Sequence, residues 1–129
     1  MAKFIFIMQH NPTPGQISGA VAESGRTVVE LTEKKLLIVP DDPTLGRDWF
    51  VQRAEEIAAA IGGISEGDIL HVMGQQQLAM AVAAIGRKAG AMLVESVTPR
   101  VSIEVTQPDG SVKKENVFTF SGFRTVHEY

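Results

Sequence analysis

The chain has no cysteine among its 129 residues, which excludes disulfide bridges and thiolate chemistry. That absence suits a cytoplasmic protein. No apolar stretch approaches the roughly 20 residues that a membrane-spanning helix needs, so no membrane partner is expected. The run Phe4–Met8 is too short for the core of a signal peptide, and it ends in a turn rather than a cleavage site. It reads as the first strand. The histidines His10, His71 and His127 stand far apart, without HxH or HExxH spacing, so neither a metal nor another cofactor is expected. No serine or threonine sits in the GxSxG setting of a nucleophile elbow. No GxGxxG fingerprint and no GKS or GKT of a P-loop is present. Internal repeats, low-complexity tracts and linkers are missing as well. The length suits one domain over 1–129, large enough to bury a core.

Nor is there an excess of positive charge. The net charge is −3. Residues 1–71 hold six Lys/Arg against ten Asp/Glu, giving −4, and residues 72–129 hold six against five, giving +1. Such a chain is a poor binder of duplex nucleic acid, which needs a wide basic surface. A small anionic ligand needs only a local cluster of donors, and the second half can supply one.

Three apolar runs are present, and each stops at a polar cluster. KFIFIM (3–8) stops at Gln9-His10-Asn11, ILHVM (69–73) at Gly74-Gln75-Gln76-Gln77, and AMLVESV (91–97) at Thr98-Pro99-Arg100. Such runs read as buried parallel strands at 3–8, 69–73 and 92–97. An open α/β sheet binds its ligands just beyond the carboxyl ends of these strands. Between them, Thr13-Pro14-Gly15-Gln16 reads as an N-cap, a first-turn proline and a capping-box glutamine, opening a helix over 14–24 that Gly25 ends. Residues 27–31 form a short second strand. Leu36–Val39 reads either as a strand or as the end of an excursion. A helix over 47–61 places Trp49, Phe50, Arg53, Ala54, Ile57, Ala60 and Ile61 on one side, with Glu55 and Glu56 outside. An Ala-rich helix covers 77–89, and Met73, Met80 and Met92 read as core filler. After Arg100, Val101, Ile103 and Val105 alternate with polar residues, which marks a half-buried strand; Gln107-Pro108-Asp109-Gly110 forms a turn, and the chain returns along 112–120. The fold class expected is therefore α/β: a mostly parallel sheet flanked by helices, with a C-terminal antiparallel hairpin, 101–107/112–120.

The polar clusters are the candidate site. Gly74 lets a ligand approach the backbone, and Gln75, Gln76 and Gln77 at a helix start offer donors to a phosphate, base or ribose. Gln9 and Asn11 flank His10, which can transfer protons near neutral pH or orient a phosphate by hydrogen bonding. No acid neighbouring it in sequence is set to fix its tautomer, which favours orientation. Thr98 precedes Pro99, which stiffens the backbone of Arg100 and presents its guanidinium to a phosphate. Each residue also has a plainer reading: a solvated turn, a loop histidine, a surface ion pair. His71 lies within a strand and reads as packed.

These features resemble the small stand-alone CRISPR-associated ring nucleases of type III systems, whose fold is close to the CRISPR-associated Rossmann-like (CARF) domain. The likeness runs through His10 with Thr13-Pro14-Gly15-Gln16, then Gly67-Asp68-Ile69 to Gly74, then Gly90 to Thr98-Pro99-Arg100. It closes on Pro108–Lys113, Val117-Phe118 and Phe123-Arg124, the most specific block. The Gln-rich loop after Gly74 and the segment 26–48 depart from the pattern. The resemblance implies a CARF-like fold and a cyclic oligoadenylate ligand, with the tetramer expected. It implies cleavage of that ring without a metal, by attack of a ribose 2′-OH on the neighbouring phosphate. His10 and Arg100 would be catalytic, with Gln9, Asn11, Gly74, Gln75, Gln76, Gln77 and Thr98 in ligand contact. A two-fold symmetric ring suits a C2 homodimer. The alternatives are a sensor or sponge of the same fold that binds without cutting, and a small α/β interaction protein with no nucleotide ligand.

Overall fold

A computed structural model describes residues 1–129 and has a mixed α/β architecture, consistent with a Rossmann-like fold. Strand β1 (Lys3–Ile7) leads to helix α1 (Pro14–Ser24) and strand β2 (Thr27–Glu30). Helix α2 (Arg47–Ala60), strand β3 (Ile69–Val72), helix α3 (Gln76–Ala89) and strand β4 (Met92–Val97) follow. Strands β5 (Arg100–Thr106) and β6 (Val112–Phe118) form a hairpin, and β7 (Gly122–Thr125) closes the chain. The main sheet has the order β2-β1-β3-β4-β7, with four parallel strands and β7 antiparallel on the β4 edge. No helix is long and apolar enough to cross a membrane.

The strands read as continuous apolar runs because both faces are covered. Ile5, Ile7, Leu70 and Leu93 pack under α2 and α3 through Phe50, Ala54, Ile57, Leu78 and Val82. Phe4, Phe6, Met8, Ile69 and Val94 face α1 through Ala20. The capping box forms as its sequence requires: Thr13 Oγ1 accepts from Gln16 N–H at 3.1 Å, and Gln16 Oε1 accepts from Thr13 N–H at 2.9 Å. Gly25 and Gly90 end α1 and α3 in left-handed conformations, with φ of 66° and 90°.

Several expectations are corrected. Leu36–Val39 is not a strand; Lys34–Leu37 forms a 3-10 turn that buries Leu37. Helix α3 begins one residue early, at Gln76, because Gln75 caps it. Ala60 lies on the exposed side of α2. Met73, Met80 and Met92 are 53%, 63% and 51% exposed, so none fills the core. Their positions, just past a strand, on the outward face of α3 and at the start of β4, carry no second packed layer.

The hairpin differs most from expectation. It runs 100–106/112–118, pairs only with itself, and is open to solvent on both faces instead of half-buried. Phe118 pairs with Arg100, one position out of phase with Val101, so it lies on the face opposite Val101, Ile103 and Val105. Phe120 lies beyond β6 and returns to α1. There Gly19 leaves room for it, since a Cβ would come within 2.7 Å of its ring. Strand β7 then joins the main sheet, which periodicity did not indicate.

Candidate functional site

Strands β1 and β3 are neighbours, with Ile7 paired to Val72 and Met73 N–H donating to Ile7 C=O at 2.9 Å. The chain leaves β1 for α1 on one face of the sheet and leaves β3 for α3 on the other. Connections that diverge in this way open a crevice at the carboxyl edge, the usual ligand position in such sheets. The loop Gln9–Asn11 borders it on one side and the turn Gly74-Gln75 on the other. Strand β4 ends on the same edge, about 10 Å from β1 at ordinary strand spacing, and leads through Thr98 and Pro99 to Arg100.

At this edge His10 and Asn11 are exposed, and their side chains make no hydrogen bond. Gln9 Nε2 donates to Lys34 C=O at 3.3 Å, and Lys34 Nζ donates to Met8 C=O at 2.7 Å. The 3-10 turn therefore brings a second cation to the end of β1, one that sequence reading missed. Gly74 adopts φ 147°, with open space where a Cβ would stand. Gln75 Oε1 accepts from Leu78 N–H at 2.9 Å, so this glutamine is committed as a cap. The N–H groups of Gln76 and Gln77 remain the uncapped donors of the first turn. The Gln77 side chain stands beside α2 and the loop that precedes it. It lines a cleft of about 420 Å³ shared with Asp41 and Asp42, and a groove of about 540 Å³ between α2 and α3.

Arg100 is exposed and takes part in none of the four ion pairs, which join Lys3–Asp68, Arg53–Glu56, Arg87–Glu128 and Arg124–Glu95. The plain reading of a surface ion pair is therefore absent. The backbone beside Arg100 is held: Thr119 N–H donates to Pro99 C=O at 3.2 Å and Ser121 N–H donates to Val97 C=O at 2.8 Å.

Behind the edge lies a polar joint that sequence reading also missed. Gln16 Nε2 donates to Ser96 Oγ at 3.0 Å, and Ser96 Oγ lies 2.6 Å from His71 Nε2. The other end of Gln16 is occupied by the capping box, so its amide orientation is settled by the network. Ser96 therefore accepts from Gln16 and donates its own O–H to His71 Nε2, so that within this joint only the Nδ1–H has no hydrogen-bond partner. The opposite tautomer would leave two groups unpaired. Burial lowers the His71 pKa, against weaker opposing pulls from its own backbone carbonyl and from Glu95. The imidazole is thus a neutral acceptor that ties α1, β3 and β4 together below the crevice. The only sequence signal for it was the capping-box glutamine.

One family profile, described as Uncharacterized protein MJ1673 family, matches residues 2–124. The chain belongs to this family. No curated protein and no solved structure matches it. The MJ1673-family match runs from before β1 into β7, so it includes both crevice loops, the Gln16–Ser96–His71 joint and the whole hairpin.

Proposed function

We propose that this protein is a ring nuclease: it binds cyclic oligoadenylate at the carboxyl edge of its sheet and cleaves it without a metal, switching off type III CRISPR signalling in the cytoplasm. The observation that carries the reading is an arginine free of any ion pair on the same edge as the β1/β3 crevice. The resemblance traced in the sequence supplies the ligand class. Arg100, with Lys34 across the edge, neutralises the phosphorane charge, and His10 and Asn11 hold a phosphate in line. The O2′–P bond forms and the P–O5′ bond breaks. The proton lost from the 2′-OH ends on the 5′ oxygen, giving a 2′,3′-cyclic phosphate and a 5′-OH. The two-fold ring is gripped by a homodimer that buries the hairpin face of Val101, Ile103, Val105 and Val117. Light scattering at micromolar concentration that returns one chain's mass removes the dimer.

The absence of any hydrogen bond fixing the His10 tautomer favours one second reading, a sensor or sponge that binds the ring without cutting it. Single-turnover incubation with labelled cyclic tetra-adenylate in EDTA separates the two. A linear product ending in a 2′,3′-cyclic phosphate supports the nuclease; tight binding without product supports the sponge. No rise in melting temperature with cyclic tri-, tetra- or hexa-adenylate removes both, because a ligand selective for the native state must stabilise it.

A further inference from the structure

Six phenylalanines are present, and five of them are packed: Phe4, Phe6, Phe50, Phe120 and Phe123. Phe118 is 67% exposed and has no aromatic partner. Leaving such a ring in water forgoes the free energy that its burial would supply. Its location is not arbitrary. Phe118 is the cross-strand partner of Arg100, on the same face, where directly opposed side chains have their Cβ atoms about 5 Å apart. It stands at the base of the hairpin, next to the Thr119–Pro99 and Ser121–Val97 hydrogen bonds that lock this backbone to the end of β4. The next pair along the face is Ser102 and Asn116, both polar and exposed. The ring is therefore no part of an apolar patch; the apolar face of the hairpin is the other one, around Val101 and Val117. A lone aromatic flanked by a free guanidinium and polar side chains suits a ligand that carries a flat base on an anionic backbone. It does not suit a greasy protein surface.

We infer that Phe118 is the stacking platform for a base of the bound oligoadenylate, held so that Arg100 reaches the adjoining phosphate. The ligand's identity rests on the reading under Proposed function; the stacking role rests on the hairpin geometry. Stacking on an aromatic is worth about 1–3 kcal/mol per base, so Phe118→Ala weakens binding of labelled cyclic tetra-adenylate by about ten- to a hundredfold. The platform needs a π face, so Phe118→Trp binds within about threefold of the native chain, whereas Phe118→Leu stays as weak as Phe118→Ala. The mass in solution is the same for all four proteins. Native-strength binding by Phe118→Ala, or rescue by Phe118→Leu equal to that by Phe118→Trp, overturns the stacking role while leaving the ring-binding reading intact. A change of oligomeric mass in Phe118→Ala assigns the ring to a protein interface and overturns it too. No binding by the native chain overturns both readings together.

Discussion

At the scale of single residues, the carboxyl edge and the joint beneath it make opposite demands on their side chains. Arg100 is exposed and unpaired, free to meet an anion. Its removal in Arg100→Ala should weaken cyclic tetra-adenylate binding by about 1.5–3 kcal/mol, the scale of a charge-assisted hydrogen bond. A two-fold assembly applies the loss twice. Arg100→Lys keeps the charge but not the planar fork and should fall between. Unchanged affinity of Arg100→Ala at low salt would remove its phosphate role. His71 is buried and held neutral. An unfolded histidine titrates near about pH 6.5, and the folded pKa lies lower. Below that pH the unfolded chain takes up a proton that the folded chain refuses, so stability falls on acidification until the folded pKa is reached. The loss is at most about 1.4 kcal/mol per pH unit. Denaturant midpoints at pH 7.5 and 5.5 should therefore diverge more for the native chain than for His71→Gln; equal slopes would refute the assignment. The positions of His10 and Arg100 at the carboxyl edge were legible in the sequence because each follows an apolar run in the chain. Lys34 and Ser96 were not, because their roles arise only when β2's exit returns to the end of β1 and α1 settles against β4.

Elements were legible wherever local chemistry decides them. The Thr13–Gln16 capping box, the glycine stops at Gly25 and Gly90, and the turn at Pro108–Gly110 all form as their residues require. Those signals need no partner. The segments left open, missed or misread share the opposite property. The run Leu36–Val39 looks like a strand, but a tight turn can bury Leu37 without any ladder. Strand β7 has four residues, and only pairing with β4 makes it a strand. The expected half-burial of the hairpin assumed that alternation implies a sheet underneath, and none lies there. Gly86 shows what packing demands and propensity would not choose. It is buried within α3, where alanine would ordinarily gain about 1 kcal/mol of helix stability. Yet a Cβ there would collide with Leu70 Cδ1 and touch Leu93, and Leu70 is wholly buried. Overpacking of this kind costs about 1–3 kcal/mol, so Gly86→Ala should be net destabilising in urea melts. A gain in midpoint would show that the α3–sheet interface can open without cost.

At the scale of the whole molecule, the residues that hold the fold and those proposed for recognition are separated in space. The core lies between the five-stranded sheet and its helices, and every wholly buried large side chain belongs to that body. The hairpin adds none of them and pairs only with itself. A two-stranded ribbon alone is marginal in water, so it contributes little to holding the fold together. It nevertheless carries Arg100 and Phe118 at its base. Replacing residues 100–119 by a short Gly-Asn turn, with Phe120 kept on α1 and β7 kept on β4, should therefore leave the sheet intact. The melting temperature should shift by only a few degrees, since even 1 kcal/mol corresponds to about 2–8 °C in domains of this size range. Binding of cyclic tetra-adenylate should be lost, and the proposed dimer with it, because the apolar face around Val101 and Val117 is gone. Cooperative melting near the native temperature together with a monomer's mass and no ligand-induced stabilisation is the expected combination. If the shortened chain fails to fold, the hairpin is part of the folding unit and the separation is wrong. If it folds and still binds the ring, the site lies wholly within the β1/β3 crevice, and His10, Asn11, Lys34 and the donors of α3 suffice to hold the ligand.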